Sequence, residues 1–316
     1  MHLPVMRDEV IEALDVRERG VYVDGTLGGG RHAEAILRRI GPDGLLVGID
    51  LDNEALERAA RHLEEWKDQC LLIHGDFADM RRHVREYGLD LVDGVFLDLG
   101  MSSDQVDAPE RGFSFMREGP LDMRMDRSQS TTAATLVRNL DESELAGLLR
   151  DLGEERSARR IAHRIVEERA KSPVDTTSRL AEIVEKAVGG HRGRTHPATR
   201  TFMALRICVN REYERIERGM EEAVHLIKPG GRLAVLTYHS LEDRRVKRIL
   251  SRHVGFWESL QEGGSKWKGE DPPVRWVRRK PMVPAKSEIA DNPRARSAKL
   301  RAVVRLGPEV DERMRS

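Results

Sequence analysis

The chain has 316 residues, and its 54 Lys and Arg balance 54 Asp and Glu. This length suits two domains, or one α/β domain with a large insertion. No apolar stretch approaches the roughly 18 residues of a membrane helix, and we expect no signal peptide and no membrane partner. Because Cys70 and Cys208 are the only cysteines, we expect buried thiols and a cytoplasmic protein.

The net charge of zero conceals an uneven distribution along the chain. Residues 1–149 carry a net charge of −13, residues 150–216 carry +5 and residues 242–316 carry +8. A polyanionic partner would therefore favour the second half of the chain. The same distribution is also compatible with an ordinary solvated surface, and charge alone does not choose between the two.

The first hundred residues alternate between short apolar segments and amphipathic segments. The predicted strands are 21–24, 45–50, 70–77 and 92–100, and the predicted helices between them include 32–40 and 53–66. Strands separated by helices of about a dozen residues are typical of βαβ units and of a parallel sheet. We therefore predict an α/β fold for this part of the chain.

The alternation stops after the fourth strand, where an irregular segment rich in turn formers begins. Helical periodicity follows within 142–188, with one helix at 154–171 and another after a threonine cap at 176 or 177. Apolar residues then recur at steps of three or four from Phe202 to Ile227, which predicts one long helix.

The strand pattern resumes at 232–240, a helix follows, and a last strand is predicted at 299–306. The helical block thus interrupts a sheet domain that closes only near the C-terminus. We place the sheet domain at 1–103 and 206–316, with the helical insertion at 104–205.

A glycine-rich segment, DGTLGGGRH at residues 24–32, separates the first predicted strand from its helix. Glycines at such a junction let the backbone approach a ligand closely. A Walker A loop is disfavoured, because Arg31 and His32 stand where Lys and a hydroxyl residue are required.

The dinucleotide fingerprint is formally met by Gly28, Gly30 and Ala33. Asp50 ends the second strand and would suit a ribose diol, so an NAD-dependent oxidoreductase remains an alternative. A dinucleotide leaves Asp24 unexplained, because a carboxylate in front of the loop would face a pyrophosphate.

Acidic residues stand at or just after the ends of four predicted strands, where open α/β sheets bind ligands. S-adenosylmethionine, a cationic methyl donor, suits these carboxylates better than a dinucleotide. Asp24 would serve its positive end directly or by ordering the loop, and Asp50 would accept its ribose hydroxyls. Asp76 and the ring of Phe77 would receive the adenine, and Asp98 would lie beside the methionine portion.

Longer blocks of the sequence resemble one family, the bacterial 16S rRNA cytosine-N4 methyltransferases called RsmH or MraW. The blocks include DGTLGGGRH at 24–32, DGVFLDLGMSSDQVD at 93–107, HPATRTFMALRICVN at 196–210 and NPRARSAKLR at 292–301. The resemblance implies a class I, Rossmann-like methyltransferase sheet with an inserted helical domain. It also implies transfer of a methyl group from S-adenosylmethionine to N4 of the decoding-centre cytosine 1402 of small-subunit rRNA.

The resemblance also carries over functional positions and a partner, the 16S rRNA or the small ribosomal subunit. The implied cofactor contacts are Gly30, Arg31, His32, Asp50, Phe77, Asp98 and Gln105. Arg31 departs from the usual G-G-H motif, and a positive φ there would cost about 1 kcal/mol or more. A non-catalytic ribosome-assembly factor with the same fold is a second alternative, and both a monomer and a homodimer remain open.

The expected chemistry needs a hydrogen-bond acceptor at the cytosine amine rather than a strong base. The Asp98 carboxylate or the Leu99 carbonyl would accept the N4 proton. His239 borders the same crevice, and a catalytic role and a structural role are the two alternatives for it. The tetrad typical of amino-methyltransferases is incomplete, so N4 specificity rests on the resemblance. No metal-ligand spacing is evident, and we expect no catalytic metal.

Charged and aromatic residues elsewhere are candidates for RNA contact. They are Arg111, Phe113, Phe115, Arg124, Arg200, Arg294, Arg296 and Lys299. For the first four, the alternative is that the phenylalanines pin a long loop to the core.

Overall fold

The computed structural model describes residues 4–190, 196–259 and 265–307. The chain forms two compact units, one made of Met1–Gly100 with Glu214–Ser316 and the other of Met101–Tyr213. The second unit thus begins three residues before the predicted insertion, 104–205, and ends eight residues after it. The reason is that the helix Ala198–Val209 packs on the helices of the second unit.

The chain contributes nine strands within the described residues. They are β1 (Val21–Asp24), β2 (Leu45–Asp50), β3 (Cys70–His74), β4 (Val92–Asp98), β5 (Ile227–Thr237), β6 (Phe256–Ser259), β7 (Ser265–Lys268), β8 (Val274–Trp276) and β9 (Lys299–Arg305). Seven of them form one sheet in the order β3-β2-β1-β4-β5-β9-β8, and β6 pairs with β7.

The helices connect these strands and build the second unit. They are α1 (Arg7–Leu14), α2 (Arg31–Ile40), α3 (Asn53–His62), α4 (Met80–Glu86), α5 (Ser103–Asp107), α6 (Ala133–Asn139), α7 (Glu142–Gly153), α8 (Ala158–Arg169), α9 (Thr177–Val188), α10 (Ala198–Val209), α11 (Glu212–Leu226), α12 (Ser240–Val254) and α13 (Lys286–Asp291).

The sheet has the class I, Rossmann-like arrangement that the sequence predicts. Strands β3, β2, β1, β4 and β5 run parallel, β9 is antiparallel to β5, and β8 is antiparallel to β9. Successive residues Val95, Phe96 and Leu97 of β4 are fully buried, so both faces of the sheet are covered there. The carboxyl ends of the five parallel strands therefore share one edge.

The second unit has its own apolar core. Its buried residues include Leu145 and Leu149 of α7, Ile161 of α8 and Leu180 of α9. The Thr176 side chain caps α9, as one of the two predicted caps. No helix within the described residues is both long enough and apolar enough to span a membrane.

The predicted long helix from Phe202 to Ile227 is wrong, because the chain breaks between α10 and α11. Arg211 has a left-handed φ of 49°. The Asn210 side chain accepts a hydrogen bond from Met125 N at 2.8 Å and donates one to Met123 O at 2.8 Å. At the break, Asn210 thus holds the irregular segment around residues 123–125.

Two smaller expectations also change. Cys70 and Cys208 are half-buried rather than fully buried, and burial raises the pKa of the Cys70 thiol to about 12. The helix predicted at 53–66 ends at His62 and continues as a short 3-10 helix, Glu64–Gln69.

Candidate active site

The ends of neighbouring parallel strands bring the predicted acids to one edge of the sheet. Asp24, Asp50 and Asp98 are the last residues of β1, β2 and β4. Since β1 pairs with both β2 and β4, the three carboxylates belong to adjacent strands. The crevice at this edge is where doubly wound sheets bind ligands.

The acids at this edge also hold the glycine loop. Asp24 Oδ1 accepts a hydrogen bond from Thr26 N at 3.1 Å, and Thr26 Oγ1 accepts one from Asp98 N at 2.6 Å. Asp50 Oδ2 accepts a hydrogen bond from Gly28 N at 2.7 Å. With only 1% of its surface exposed, Asp24 acts as an anchor of the loop.

The electrostatics of this edge favour a cation. Burial raises the pKa of Asp24 to about 8, and the nearby carboxylates of Asp98 and Asp50 add to the rise. Burial also raises the pKa of Asp50 and of Asp98. A phosphate would add further negative charge to this group, whereas a cation would relieve the repulsion.

The two carboxylate oxygens of Asp98 differ in their surroundings. His32 Nδ1 lies 3.8 Å from Asp98 Oδ2 and opposes the rise of the Asp98 pKa. The Tyr238 hydroxyl donates toward the same carboxylate. Oδ1 is buried, and no described residue offers it a hydrogen bond. An unsatisfied buried acceptor is costly, so it marks a place for a donor from a ligand.

His32 is fixed in position by the N-terminal segment. Its Nε2 lies 2.9 Å from Val5 O, and its ring packs against Phe96 with centroids 4.7 Å apart. Because both contacts restrain the imidazole, the Nδ1 atom stays directed toward Asp98. His32 therefore lies beside Asp98 at this edge, and its contact with the cofactor remains a prediction.

Tyr238 and Glu242 also belong to this edge, although the sequence pattern did not single out either. Glu242 is fully buried, and its Oε2 accepts hydrogen bonds from Tyr238 N at 3.0 Å and His239 N at 3.3 Å. The His239 side chain in turn accepts from Glu242 N, which completes a capping box on α12. The structure thus gives His239 a capping role, the structural alternative of the two. The usual sequence signature of a capping box begins with Ser or Thr, so the histidine at the N-cap hides this one.

Asp76 and Phe77 are placed differently from the expectation that their side chains receive an adenine. Both oxygens of Asp76 accept from Arg215 Nε, at 3.0 and 2.9 Å. The Phe77 ring is 5% exposed, lies 4.8 Å from the Arg215 guanidinium and packs so closely on Gly219 that a Cβ there would clash. These side chains attach α11 to the sheet, so the face of the Phe77 ring that would receive an adenine is covered.

The glycine loop accommodates Arg31 without strain. Gly28 and Gly30 have positive φ values of 53° and 78°, whereas Arg31 is not among the residues with positive φ and opens α2. The residue that departs from the G-G-H motif therefore stands where any side chain is tolerated. The left-handed position is Gly30, which caps the helix.

We expect Gly30→Ala to lower the free energy of unfolding by about 1–2 kcal/mol, because alanine disfavours the left-handed region. Its Cβ would also lie 3.1 Å from Leu63 Cδ1. Arg31→Gly should change that free energy by under about 1 kcal/mol, the penalty of glycine in a helix. Denaturant unfolding measures both, and a larger loss for Arg31→Gly would contradict this assignment.

Leu99 and Gln105 have structural contacts of their own. Leu99 is buried at the end of β4, where its N donates to Leu236 O at 3.0 Å. Gln105 belongs to the second unit, where its Oε1 accepts from Ser102 N at 3.0 Å in the capping box of α5. The roles of Leu99 at the amine and of Gln105 at the cofactor remain predictions.

Four RNA candidates of the second unit serve its core instead. Arg111 is 3% exposed and donates to the carbonyls of Arg124 and Met125, while Phe113 is buried. The Arg124 guanidinium is held by the Asp122 carboxylate and by loop carbonyls. Phe115 packs against Phe202 and His196. The alternative that these residues pin the long loop is the one that the structure supports.

The remaining RNA candidates divide into exposed and paired residues. Arg294 and Arg296 are exposed, and so is Arg200, whose Nη1 donates to Glu154 O. Lys299 Nζ instead lies 3.1 Å from Asp243 Oδ2, which Arg301 also binds. Lys299 is thus a weaker candidate than the other three.

Glu221, His253 and Glu270 place potential metal-ligand atoms within 4.8 Å of one another, an arrangement that the sequence spacing did not predict. The Arg252 guanidinium donates to both of these carboxylates. His253 Nδ1 also lies 3.2 Å from Pro272 O. The Arg252 guanidinium therefore already offsets one of the two negative charges.

Similarity to known proteins extends over nearly the whole chain. A family model described as the MraW methylase family matches residues 1–306. A protein of Syntrophotalea carbinolica named ribosomal RNA small subunit methyltransferase H is 50% identical, with 96% of this chain and 98% of the relative covered. Its namesake from Geobacter sulfurreducens is 48% identical, with 96% and 99% covered. A solved rRNA methylase of Streptococcus thermophilus is 11% identical with a TM-score of 0.41, and 95% and 94% are covered.

Proposed function

The chain belongs to the MraW methylase family, and we propose that it methylates 16S rRNA with S-adenosylmethionine as the methyl donor. The relatives named ribosomal RNA small subunit methyltransferase H support this substrate class. The motif resemblance supports a finer assignment, the N4 amine of the decoding-centre cytosine 1402. We place the reaction in the cytoplasm, with the small ribosomal subunit or its rRNA as partner.

One observation carries the proposal, the unsatisfied Oδ1 of Asp98 within a group of carboxylates at the carboxyl edge. The residues present fit S-adenosylmethionine, which bears an ammonium and supplies a methyl group made electrophilic by a sulfonium. Asp98 would accept from the ammonium or from the target amine. A dinucleotide fits poorly, because its pyrophosphate would face the Asp24 carboxyl beneath the glycine loop.

The remaining contacts follow from the loop geometry. The Asp50 carboxylate, half-buried at the end of β2, would accept the ribose hydroxyls. The backbone of Gly28 and Gly30 would allow the methionine portion to approach. His32 would keep the Asp98 carboxylate oriented.

The residues at this edge can also prepare the cytosine amine. Its lone pair is delocalised into the ring, and an acceptor on an N–H group favours the pyramidal geometry required for attack. Asp98 would receive the amine proton in this proposal, and its raised pKa would make the carboxylate a better base. The target base would have to be flipped out or already unpaired.

The two units divide this work in the proposal. Residues 1–100 with 214–316 form the methyltransferase domain, since they contain the acidic edge. The inserted unit, residues 101–213, is proposed to recognise the substrate.

The deciding experiment is methyl transfer to small ribosomal subunits from cells that lack the protein, with the product nucleotide mapped by mass spectrometry. We expect one methyl group on N4 of a decoding-centre cytosine. Calorimetric titration with S-adenosylmethionine accompanies the assay. Cofactor binding without transfer would indicate an assembly factor, and the absence of sub-millimolar binding would overturn the enzyme assignment.

We expect Asp50→Ala to weaken binding of S-adenosylmethionine by about 1–3 kcal/mol, because ribose hydroxyls lose their acceptor. The variant also frees Gly28 N and Asp52 N, so the loss of these two backbone contacts contributes. A 2′-deoxyribose analogue separates the two effects in calorimetry. The analogue should bind the wild type more weakly than the cofactor does. The variant should bind the analogue and the cofactor about equally well. An equal discrimination in both proteins would disprove the ribose contact.

A further inference from the structure

A run of exposed cations precedes the last strand of the sheet. Between residues 278 and 297 the chain has six Lys and Arg against two acids, Glu288 and Asp291. We call these six the basic rim: Arg278, Arg279, Lys280, Lys286, Arg294 and Arg296. All six are exposed. Apart from Arg294, their side chains form no hydrogen bond or ion pair with any residue that the structure describes.

Many other arginines of this unit have carboxylate partners. Arg301, for example, binds both oxygens of Asp243, and Arg218 pairs with Asp79. Leaving five neighbouring cations unpaired keeps a local positive potential that the net charge of zero conceals.

The topology places the basic rim at the same edge as the acidic crevice. Strand β9 is antiparallel to β5, so its first residue, Lys299, lies opposite Thr237 at the carboxyl end of β5. Met282 bridges to Leu300 at the same level. The chain between Met282 and Lys299, which carries Lys286, Arg294 and Arg296, therefore begins and ends at the carboxyl edge. Residues 278–280 lead to that edge, since Val277 N donates to Ala302 O at 2.9 Å. Strand β5 is the neighbour of β4, which ends in Asp98.

Specific contacts attach this segment to the N-terminal residues that orient the crevice. Ala295 is fully buried between the exposed Arg294 and Arg296. Glu288 Oε1 accepts a hydrogen bond from Met6 N at 2.6 Å. The residue before Met6 supplies the carbonyl that holds His32. The basic rim is thus built on the same N-terminal segment that orients the crevice.

We propose that the basic rim binds the phosphates of the RNA whose base enters the acidic crevice, an inference that rests on the proposed function. A neutral base can enter a group of carboxylates, whereas the phosphates flanking it are repelled. Cations at the mouth of the crevice offset that repulsion and hold the backbone. Such contacts position the nucleic acid without reading its sequence.

The test compares two triple variants of the full-length protein. R278Q/R279Q/R296Q removes three charges from the basic rim. R39Q/R61Q/R85Q removes three exposed arginines from the last turns of α2, α3 and α4, which return to the opposite edge of the sheet. Binding to protein-free 16S rRNA made by transcription is measured at about 50–200 mM salt.

We expect the basic-rim variant to bind the transcript at least tenfold more weakly, and its plot of log affinity against log salt to lose about two units of slope. On small subunits its KM should rise while kcat stays within about twofold of the wild-type value. Its affinity for S-adenosylmethionine should not change. The opposite-edge variant should resemble the wild type in every measurement.

Equal losses in the two variants, or no loss in the basic-rim variant, would overturn the proposal. A defect seen with subunits but absent with the protein-free transcript would point to a ribosomal protein as the partner and would also overturn it. Failure of the proposed function is a separate result, because the wild-type protein would then transfer no methyl group to the subunits.

Discussion

Replacing Asp98 by asparagine is expected to slow methyl transfer to small ribosomal subunits by about 10²–10⁴-fold, the usual contribution of a positioned proton acceptor. Asparagine keeps the size of the side chain, but it removes the charge and the basicity. The rate is measured in a single turnover at saturating cofactor, so that weaker cofactor binding does not contribute. Calorimetry on the same variant gives its cofactor affinity separately.

Asp93→Asn is the matched control for Asp98→Asn, because Asp93 lies near the other end of the same strand. There its Oδ2 accepts from Val21 N at 2.8 Å, a bond that an asparagine oxygen can also accept. We expect its rate to stay within a few-fold of the wild-type rate. A wild-type rate in Asp98→Asn would instead shift the acceptor role to the Leu99 carbonyl, which the substitution leaves in place.

Strand ends could be predicted because local sequence determines them. Strands β1 (Val21–Asp24) and β2 (Leu45–Asp50) have the predicted bounds, since each is an apolar run closed by an acid. A buried parallel strand must be apolar throughout, and a polar residue can stand only where the strand leaves the core. The same rule located three acids of the candidate site.

Tertiary contacts determined the features that the sequence did not predict. At the break, Asn210 forms hydrogen bonds with Met125 and Met123, which precede it in the chain by 85 and 87 positions. The apolar periodicity continues through the break and does not reveal it. Arg111 and Phe113 have the composition of an RNA-binding loop, but their burial follows from how that loop folds back on itself. Composition alone therefore could not separate a surface role from a core role.

The affinity for S-adenosylmethionine is expected to rise with pH up to about pH 8. In the free protein the Asp24 carboxyl is neutral below about pH 8, because burial raises its pKa to about 8. A cation bound at this edge favours the ionised form, so binding releases a proton. The affinity should therefore fall by up to about tenfold for each pH unit below 8, or about a hundredfold at pH 6.

Calorimetry in two buffers with different ionisation enthalpies measures the released proton. We expect about one proton to be released per bound cofactor at pH 7. Burial raises the pKa of Asp50 and Asp98 as well, so the released proton belongs to the three carboxyls together. Asp24→Asn should bind more weakly than the wild type at pH 8 and release less of a proton. Proton release in Asp24→Asn equal to that of the wild type would contradict the role of Asp24.

The same pKa shift sets the sign of the stability change in the free protein. Folding raises the pKa of Asp24 from its ordinary value of 3.8 to about 8, so between about pH 4 and 8 the unfolded chain ionises while the folded one stays neutral. Stability is then lost with rising pH, by at most about 1.4 kcal/mol for each pH unit from this group. Saturating cofactor should offset this loss, because its affinity rises with pH by up to the same free energy for each unit. Melting temperatures of the wild type and of Asp24→Asn, measured from pH 4 to 8 with and without cofactor, test both expectations. The assignment would be refuted if the free wild-type protein gained more stability with rising pH than Asp24→Asn does.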